Sequence, residues 1–340
     1  MAPKIVASKE KLVALKNGQK QEGVLFYPIV MHFAARLAGQ KYADFARDYR
    51  EMVAANLVCV EQAGMDYVTV MCDAYRETSA FGGVVSYPED AVPRCTTQDL
   101  ESIEDLHKLN IPDVNTSERI VNCIDSIKLY KEILGDRVPI VGWVEGPLAE
   151  ACDVIGMEQM MLNTYMNPEF AEALMRKCLD FAKIFAKAQI DAGADIIGIG
   201  EAVCSQISEE QYAEMIFSLD KELIDYIHRE GAMVKLHICG NITHLLPVIR
   251  EAQPDIVDID SMVDMDEAYE LLGDKIIRCG NIDPVKMARE MSVEEVYQFS
   301  KNLIRKEIGR PFILSAGCEI PVGTPLENVL AMKKAAIEPY

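Results

Sequence analysis

Eight short apolar runs recur along this chain, and stretches of helical periodicity separate them: 24–30, 67–71, 139–144, 195–200, 234–238, 255–259, 275–279 and 312–316. Each run is almost continuously hydrophobic and rich in Val and Ile, which is how parallel strands covered on both faces read. Eight β-then-α units in 340 residues describe an α/β fold built as a single (β/α)8 TIM barrel. A doubly wound sheet would show fewer strands and a Gly-rich phosphate turn after the first one. No Gly/Ser/Pro-rich linker divides the chain, so residues 1–340 read as one catalytic domain, with 1–22 as an N-terminal helical extension. The longest gap, 74–137, falls between the second and third strands. It holds "FGGVVSYPEDAVPR" (81–94) and helical segments near 98–108 and 116–135, and is expected to form a lid over the mouth.

Half the residues are hydrophobic and 26% are charged, the balance of a globular protein with a full core. A net charge of −20 would repel a phosphate backbone, and no Lys/Arg cluster interleaved with aromatics offsets it. Nucleic acid is therefore excluded as a partner class. No apolar run is long enough to span a bilayer, and the N-terminal stretch lacks a secretory pattern, which points to a cytoplasmic protein. Ten cysteines scattered singly fit a reducing compartment, where most are buried packing residues and a few are ligands.

Barrel enzymes carry their chemistry at the C-terminal ends of the strands. In "KLHICGN" the fifth run ends in His237 and Cys239, two apart and so directed to the same side of an extended chain. The eighth run ends in "SAGCEIP", which brings Cys318 to the same mouth. One imidazole and two thiolates favour zinc over magnesium or calcium, and three protein ligands leave a fourth position open for catalysis. Acidic and polar groups close other strands. Asp73 follows the second and Glu201 the fourth, and both are candidate catalytic acids. Glu145 follows the third, Asp260 the sixth and Asn281 the seventh; with Tyr27 (beside Pro28) and His32 in "LFYPIVMHF" they are candidate substrate-binding groups. His244 reads as a surface or capping residue, and Cys72, Cys152, Cys204 and Cys279 as packing residues.

The segments "HICGN", "GCEIPVGTPLENV", "YPEDAVP" and "AGADIIGIGEA" resemble the uroporphyrinogen decarboxylase superfamily. Within it they resemble the zinc-dependent corrinoid methyltransferases, such as those using methylcobamide and coenzyme M. The resemblance implies a zinc motif of His-x-Cys and a distant Cys, at His237, Cys239 and Cys318. It further implies methyl exchange between a small substrate and the corrinoid (cobalamin) cofactor of a separate methyl-carrier protein, since no cobalamin-binding segment is visible in this chain. The substrate would be a small methylated compound (O-demethylase type) or a thiol (coenzyme M type). Two departures stand out. True decarboxylases resemble one another in an Arg-Gln-Ala-Gly-Arg segment near the first strand, where this chain has "MHFAARLAGQKY". The coenzyme M enzymes resemble Pro-Gly-Cys-Gly around the last ligand, where this chain has Ala-Gly-Cys-Glu. A uroporphyrinogen decarboxylase-like decarboxylase and a non-catalytic zinc or carrier-binding module are the alternative readings.

Overall fold

Each of the eight apolar runs forms a strand in the computed structural model, which describes residues 7–19 and 22–339. In chain order the strands are β1 (Leu25–Phe26), β2 (Val68–Thr69), β3 (Val84–Ser86), β4 (Arg94–Thr96), β5 (Ile140–Glu145), β6 (Ile196–Gly200), β7 (Met233–His237), β8 (Ile256–Ile259), β9 (Ile277–Ile282) and β10 (Phe312–Ala316). Eight of them form one parallel sheet in the order β1-β10-β9-β8-β7-β6-β5-β2. β3 and β4 pair separately as an antiparallel hairpin. The near-continuous hydrophobicity follows from burial on both faces. Ile196, Ile197 and Ile199 of β6 all have no exposed surface, and each such side chain stabilises the fold by about 1.5–3 kcal/mol relative to exposure.

The barrel closes between β1 and β2 through a side chain as well as the backbone. The amide N–H of Asp66 donates to the carbonyl of Phe26 at 3.1 Å, while the Asp66 carboxylate accepts from the Phe26 amide at 2.9 Å. Lys333 on the last helix, Leu326–Ile337, donates to both carboxylate oxygens at 2.9 Å. The shortest strands are thus stitched by an acid whose charge is paired.

Helices surround the sheet and are bounded by identifiable caps. Val293–Lys306 begins with a capping box in which the Ser292 hydroxyl accepts from the Glu295 amide and the Glu295 carboxylate accepts from the Ser292 amide; such a cap stabilises by roughly 1 kcal/mol. The 25-residue helix Pro168–Ala192 has Pro at its first turn, and Gly193 ends it at φ 116°, a backbone conformation that only glycine adopts freely.

The expected N-terminal extension contains the helix Lys9–Lys16; residues 1–6, 20 and 21 of it lie outside the described residues. Between β2 and β5 run the helix Tyr75–Ala80, the β3–β4 hairpin and the helices Ile103–Lys108 and Glu118–Leu134. The hairpin turn reaches the segment after β1, where Asp90 Oδ1 lies 3.1 Å from His32 Nε2 and the carbonyl of Glu89 accepts from the Ala43 amide at 3.2 Å. Among the described residues no helix is long and apolar enough to cross a membrane.

Candidate metal centre

His237 is the last residue of β7, two residues beyond Lys235, so both point into the barrel. Cys239 follows two residues into the loop, and Cys318 arrives from the loop after β10. Separated by 79 positions, the two sulfurs lie 3.3 Å apart. His237 Nε2 is 3.0 Å from Cys239 Sγ and 3.9 Å from Cys318 Sγ. Tetrahedral zinc would set sulfurs about 3.8 Å apart and sulfur from nitrogen about 3.6 Å apart. The two sulfur–nitrogen distances fall either side of that spacing, and the sulfurs stand about 0.5 Å closer than the ion would hold them. Its soft donor set suits zinc, so the residues present fit the ion.

The loops that carry the sulfurs are held by Asp260. Its carboxylate accepts from the Gly240 amide at 2.9 Å, next to Cys239, where Gly240 turns the chain at φ 91°. Its backbone packs against Gly317, next to Cys318: a Cβ there would meet Ser261 N at 2.4 Å and Asp260 C at 2.9 Å. Asn281 steadies the same turn, its side-chain amide donating to the Val263 carbonyl at 2.8 Å. Asp260 and Asn281, expected at the substrate, are therefore occupied with shaping the two ligand loops.

Behind the triangle, His237 Nδ1 lies 2.9 Å from Asp258 Oδ2, and Lys235 Nζ contacts the same oxygen. Burial alone would push the Asp258 carboxyl up, but Lys235 and His237 more than offset it and hold it at about 2. Burial lowers His237, yet its bonds to Asp258 and Cys318 raise it to about 9. The two thiols share their acidity unequally. Cys318 accepts from Cys239 and, despite burial, falls to about 5, while Cys239 is pushed far up by that same bond and by burial.

Of the remaining expected residues, Glu145 enters this space and Glu201 does not. Gly200 is in register with both Glu145 and His237, so these three positions face inward and the next residue, Glu201, faces the helices. Both Glu201 oxygens accept from the first turn of the helix Pro147–Ile155, at Leu148 N and Ala149 N, each at 3.0 Å. Gly146 leaves room for that contact, since a Cβ there would lie 2.2 Å from Glu201. The side chain expected as a catalytic acid is thus a fully buried helix anchor. Asp73 is likewise committed: Arg119 grips both its oxygens, at 2.8 and 2.6 Å. Burial raises its carboxyl, but Arg119 more than compensates and holds it low.

Glu145 reaches inward because β6 has glycine at both inward positions of its second half. A Cβ on Gly198 would meet the Trp143 ring at 2.2 Å, and one on Gly200 would meet Glu145 Oε2 at 2.7 Å. Trp143 and Glu145 lean through this gap toward β7, with the Trp143 ring 6.1 Å from the His237 ring and 6.0 Å from Lys235 Nζ. Trp143 Nε1 donates to Glu145 Oε1 at 3.0 Å. Burial, then the charges of Glu77 and Asp153, push the Glu145 carboxyl well above the usual range.

His32 joins the site through Glu319, whose Oε1 accepts from the His32 amide at 3.2 Å. Burial pushes Glu319 up to about 7. Tyr27 lies inside the barrel, stacked on Tyr67 at 4.6 Å and fully buried. His244 Nε2 donates to the Ile207 carbonyl at 2.9 Å, and all ten cysteines are free. Sequence reasoning assigned no role to Lys235, Asp258, Trp143 or Arg119. A Lys and an Asp inside otherwise apolar strands are a readable signal, because buried charges require partners.

Methylcobamide:CoM methyltransferase MtbA of Methanosarcina acetivorans is 29% identical over 276 residues, 80% of each chain. Methylcobamide:CoM methyltransferase MtaA of Methanosarcina barkeri is 26% identical over 231 residues, 67% of this chain and 66% of its own. The uroporphyrinogen decarboxylase of Geobacter metallireducens is 28% identical over 243 residues, 68% of this chain and 69% of its own. In three dimensions a methyltransferase from Methanosarcina mazei superposes with a TM-score of 0.87 at 22% identity, covering 97% of this chain and 98% of that one. That likeness supports the TIM-barrel fold. The model for the uroporphyrinogen decarboxylase (URO-D) family matches residues 7–338, nearly the whole barrel with both ligand loops, and the chain belongs to that family.

Proposed function

We propose that this protein is a zinc-dependent methyltransferase that moves a methyl group between a small substrate and the cobalt of a separate corrinoid protein. The observation that carries the reading is the triangle of His237 Nε2, Cys239 Sγ and Cys318 Sγ at two strand ends. Relatives named methylcobamide:CoM methyltransferases support it. The absence of an Arg-Gln-Ala-Gly-Arg segment, replaced here by "MHFAARLAGQKY", weighs against the decarboxylase alternative, although relatives of that name are comparably similar.

His237, Cys239 and Cys318 would hold zinc, with Asp260 and Gly317 fixing their loops. When bound there, zinc supplies positive charge that favours the thiolate form of a thiol substrate or stabilises a departing heteroatom. Burial and the neighbouring charges of Glu77 and Asp153 favour the protonated form of Glu145. Its Oε1 accepts from the Trp143 indole, which leaves the proton on Oε2, the oxygen over Gly200. A group so placed can donate to a departing heteroatom or take the proton of an incoming thiol. The β3–β4 hairpin, tied by Asp90 to His32, serves as the lid that excludes water. Glu319 and His32 line the side of the site next to Cys318 and orient the substrate.

The reading is tested by elemental analysis and by a paired assay. The purified protein should hold about one zinc per chain, and Cys239→Ala and Cys318→Ala should release it while remaining folded. Full zinc in both variants would sink the metal assignment. Methylated donors with a reduced corrinoid carrier, and thiols with a methylated one, establish the direction of transfer. Turnover of the small substrate with no corrinoid present would overturn the methyltransferase reading.

A further inference from the structure

We infer that Lys235 and Asp258 form a buried, charge-neutral pair whose function is to fix the tautomer and orientation of His237 at the metal centre. The inference rests on the metal reading above but concerns residues that reading does not use. Lys235 and His237 face inward from β7, and Asp258 lies on β8 one rung beyond the Leu236–Val257 pair. All three are buried, at 2%, 4% and 2% exposure.

The geometry dictates the tautomer. A carboxylate only accepts, so at 2.9 Å from Asp258 Oδ2 the Nδ1 of His237 must carry the hydrogen and donate it. In the neutral ring that a metal requires, the lone pair then belongs to Nε2, the atom that faces both sulfurs. Without that bond the ring could place its hydrogen on Nε2 and present no lone pair to a metal.

Lys235 supplies the counter-charge that a carboxylate inside the barrel requires, and its contact with the same Oδ2 fixes the carboxylate under His237. It is itself held over the Trp143 ring. Stability does not account for the pair. A buried ion pair contributes little or nothing beyond what apolar residues of the same volume would, and Asp258 Oδ1 has no N–H or O–H partner among the described residues. One oxygen serves both Lys235 and His237, while the other has at most the weak thiol donor of Cys279, its neighbour on β9. That arrangement places a carboxylate beneath the imidazole at an energetic cost, as a positioning role demands.

The test compares Asp258→Leu and Lys235→Met singly with the combined Lys235→Met/Asp258→Leu variant. Zinc affinity is measured by competition with a chromophoric chelator, fold stability by urea unfolding, and the ligand field by the visible spectrum of the cobalt(II)-loaded protein. Either single variant strands a buried charge and should lower both stability and affinity. In the combined variant stability should return toward the parent, whereas zinc affinity should remain about 10- to 100-fold weaker and the cobalt spectrum should stay altered. A combined variant with zinc affinity within about twofold of the parent and an unchanged cobalt spectrum would show that the pair is only structural. A parent chain that takes up no zinc would instead overturn the metal reading, and this inference with it.

Discussion

Glu145 occupies the space that any side chain at position 200 would take: a Cβ on Gly200 would lie 2.7 Å from Glu145 Oε2. The relationship links a backbone feature of β6 to a buried carboxyl of β5 on the approach to His237. It also separates two glycines that look alike in "GIG", since Gly198 instead admits the rigid Trp143 ring.

Gly200→Ala should therefore move the Glu145 carboxyl while leaving the metal ligands in place. The flexible end of Glu145 has to yield most, and the edge of the Trp143 ring, 3.2 Å away, by only a few tenths of an ångström, so the unfolding midpoint should change less than for Gly198→Ala. Turnover should fall about 10-fold or more, as expected for a misplaced reacting group, with zinc content at the parent level. Gly198→Ala meets an indole that cannot yield, and should cost about 1–3 kcal/mol of stability in urea unfolding. Equal effects of the two substitutions on stability and turnover would contradict this account.

Two glutamates that both follow a strand should behave oppositely when changed to glutamine. Glu145→Gln should keep the fold and lower turnover by about 10² to 10⁴. Glu201→Gln replaces one acceptor at the start of the helix Pro147–Ile155 with an N–H donor facing another donor. It should cost roughly 1–3 kcal/mol of stability and leave the turnover of the folded fraction within a few-fold of the parent. Steady-state rates and unfolding curves on the same preparations decide the matter.

The Arg119–Asp73 pair predicts a strong asymmetry between breaking and removing an ion pair. Arg119→Met leaves a carboxylate with a fully buried side chain without its bidentate partner, and should cost about 3–5 kcal/mol. Adding Asp73→Leu should restore most of that loss. A single variant as stable as the parent in urea would show that the nearby Arg76 is a sufficient partner.

Asp153 gives stability a pH dependence of defined sign. Burial, then the charges of Glu77 and Asp73, raise it from about 3.8 to about 7 in the folded chain. The unfolded chain releases this proton first as pH rises, so the group is neutral in its effect below about pH 4. It becomes progressively destabilising between 4 and 7, and its cost is complete above 7. Asp153→Asn should gain about 1–3 kcal/mol over the parent at pH 8 and nothing at pH 4, measured by urea unfolding at both values. An equal gain at both would remove the titration argument.

The sequence by itself determined the eight strands, because burial on both faces imposes continuous apolar runs that no other element of that length requires. It also singled out His237, Cys239 and Cys318, which the fold brings together, because two-residue spacing aligns His237 with Cys239 and barrel topology brings every strand end to one mouth. It placed the insertion with its two later helices as well. The direction of the acids was decided only by the tertiary structure. "WVEGP" and "GIGEA" each put a glutamate at the end of an apolar run, and nothing local distinguishes them. Side chains alternate along a strand, so a one-residue difference in where each strand meets its neighbours sends Glu145 inward and Glu201 outward. Pairing decided Lys235 and Asp258 too. Each reads alone as a charge misplaced in a hydrophobic run, and only the β7–β8 register brings the two together beneath His237.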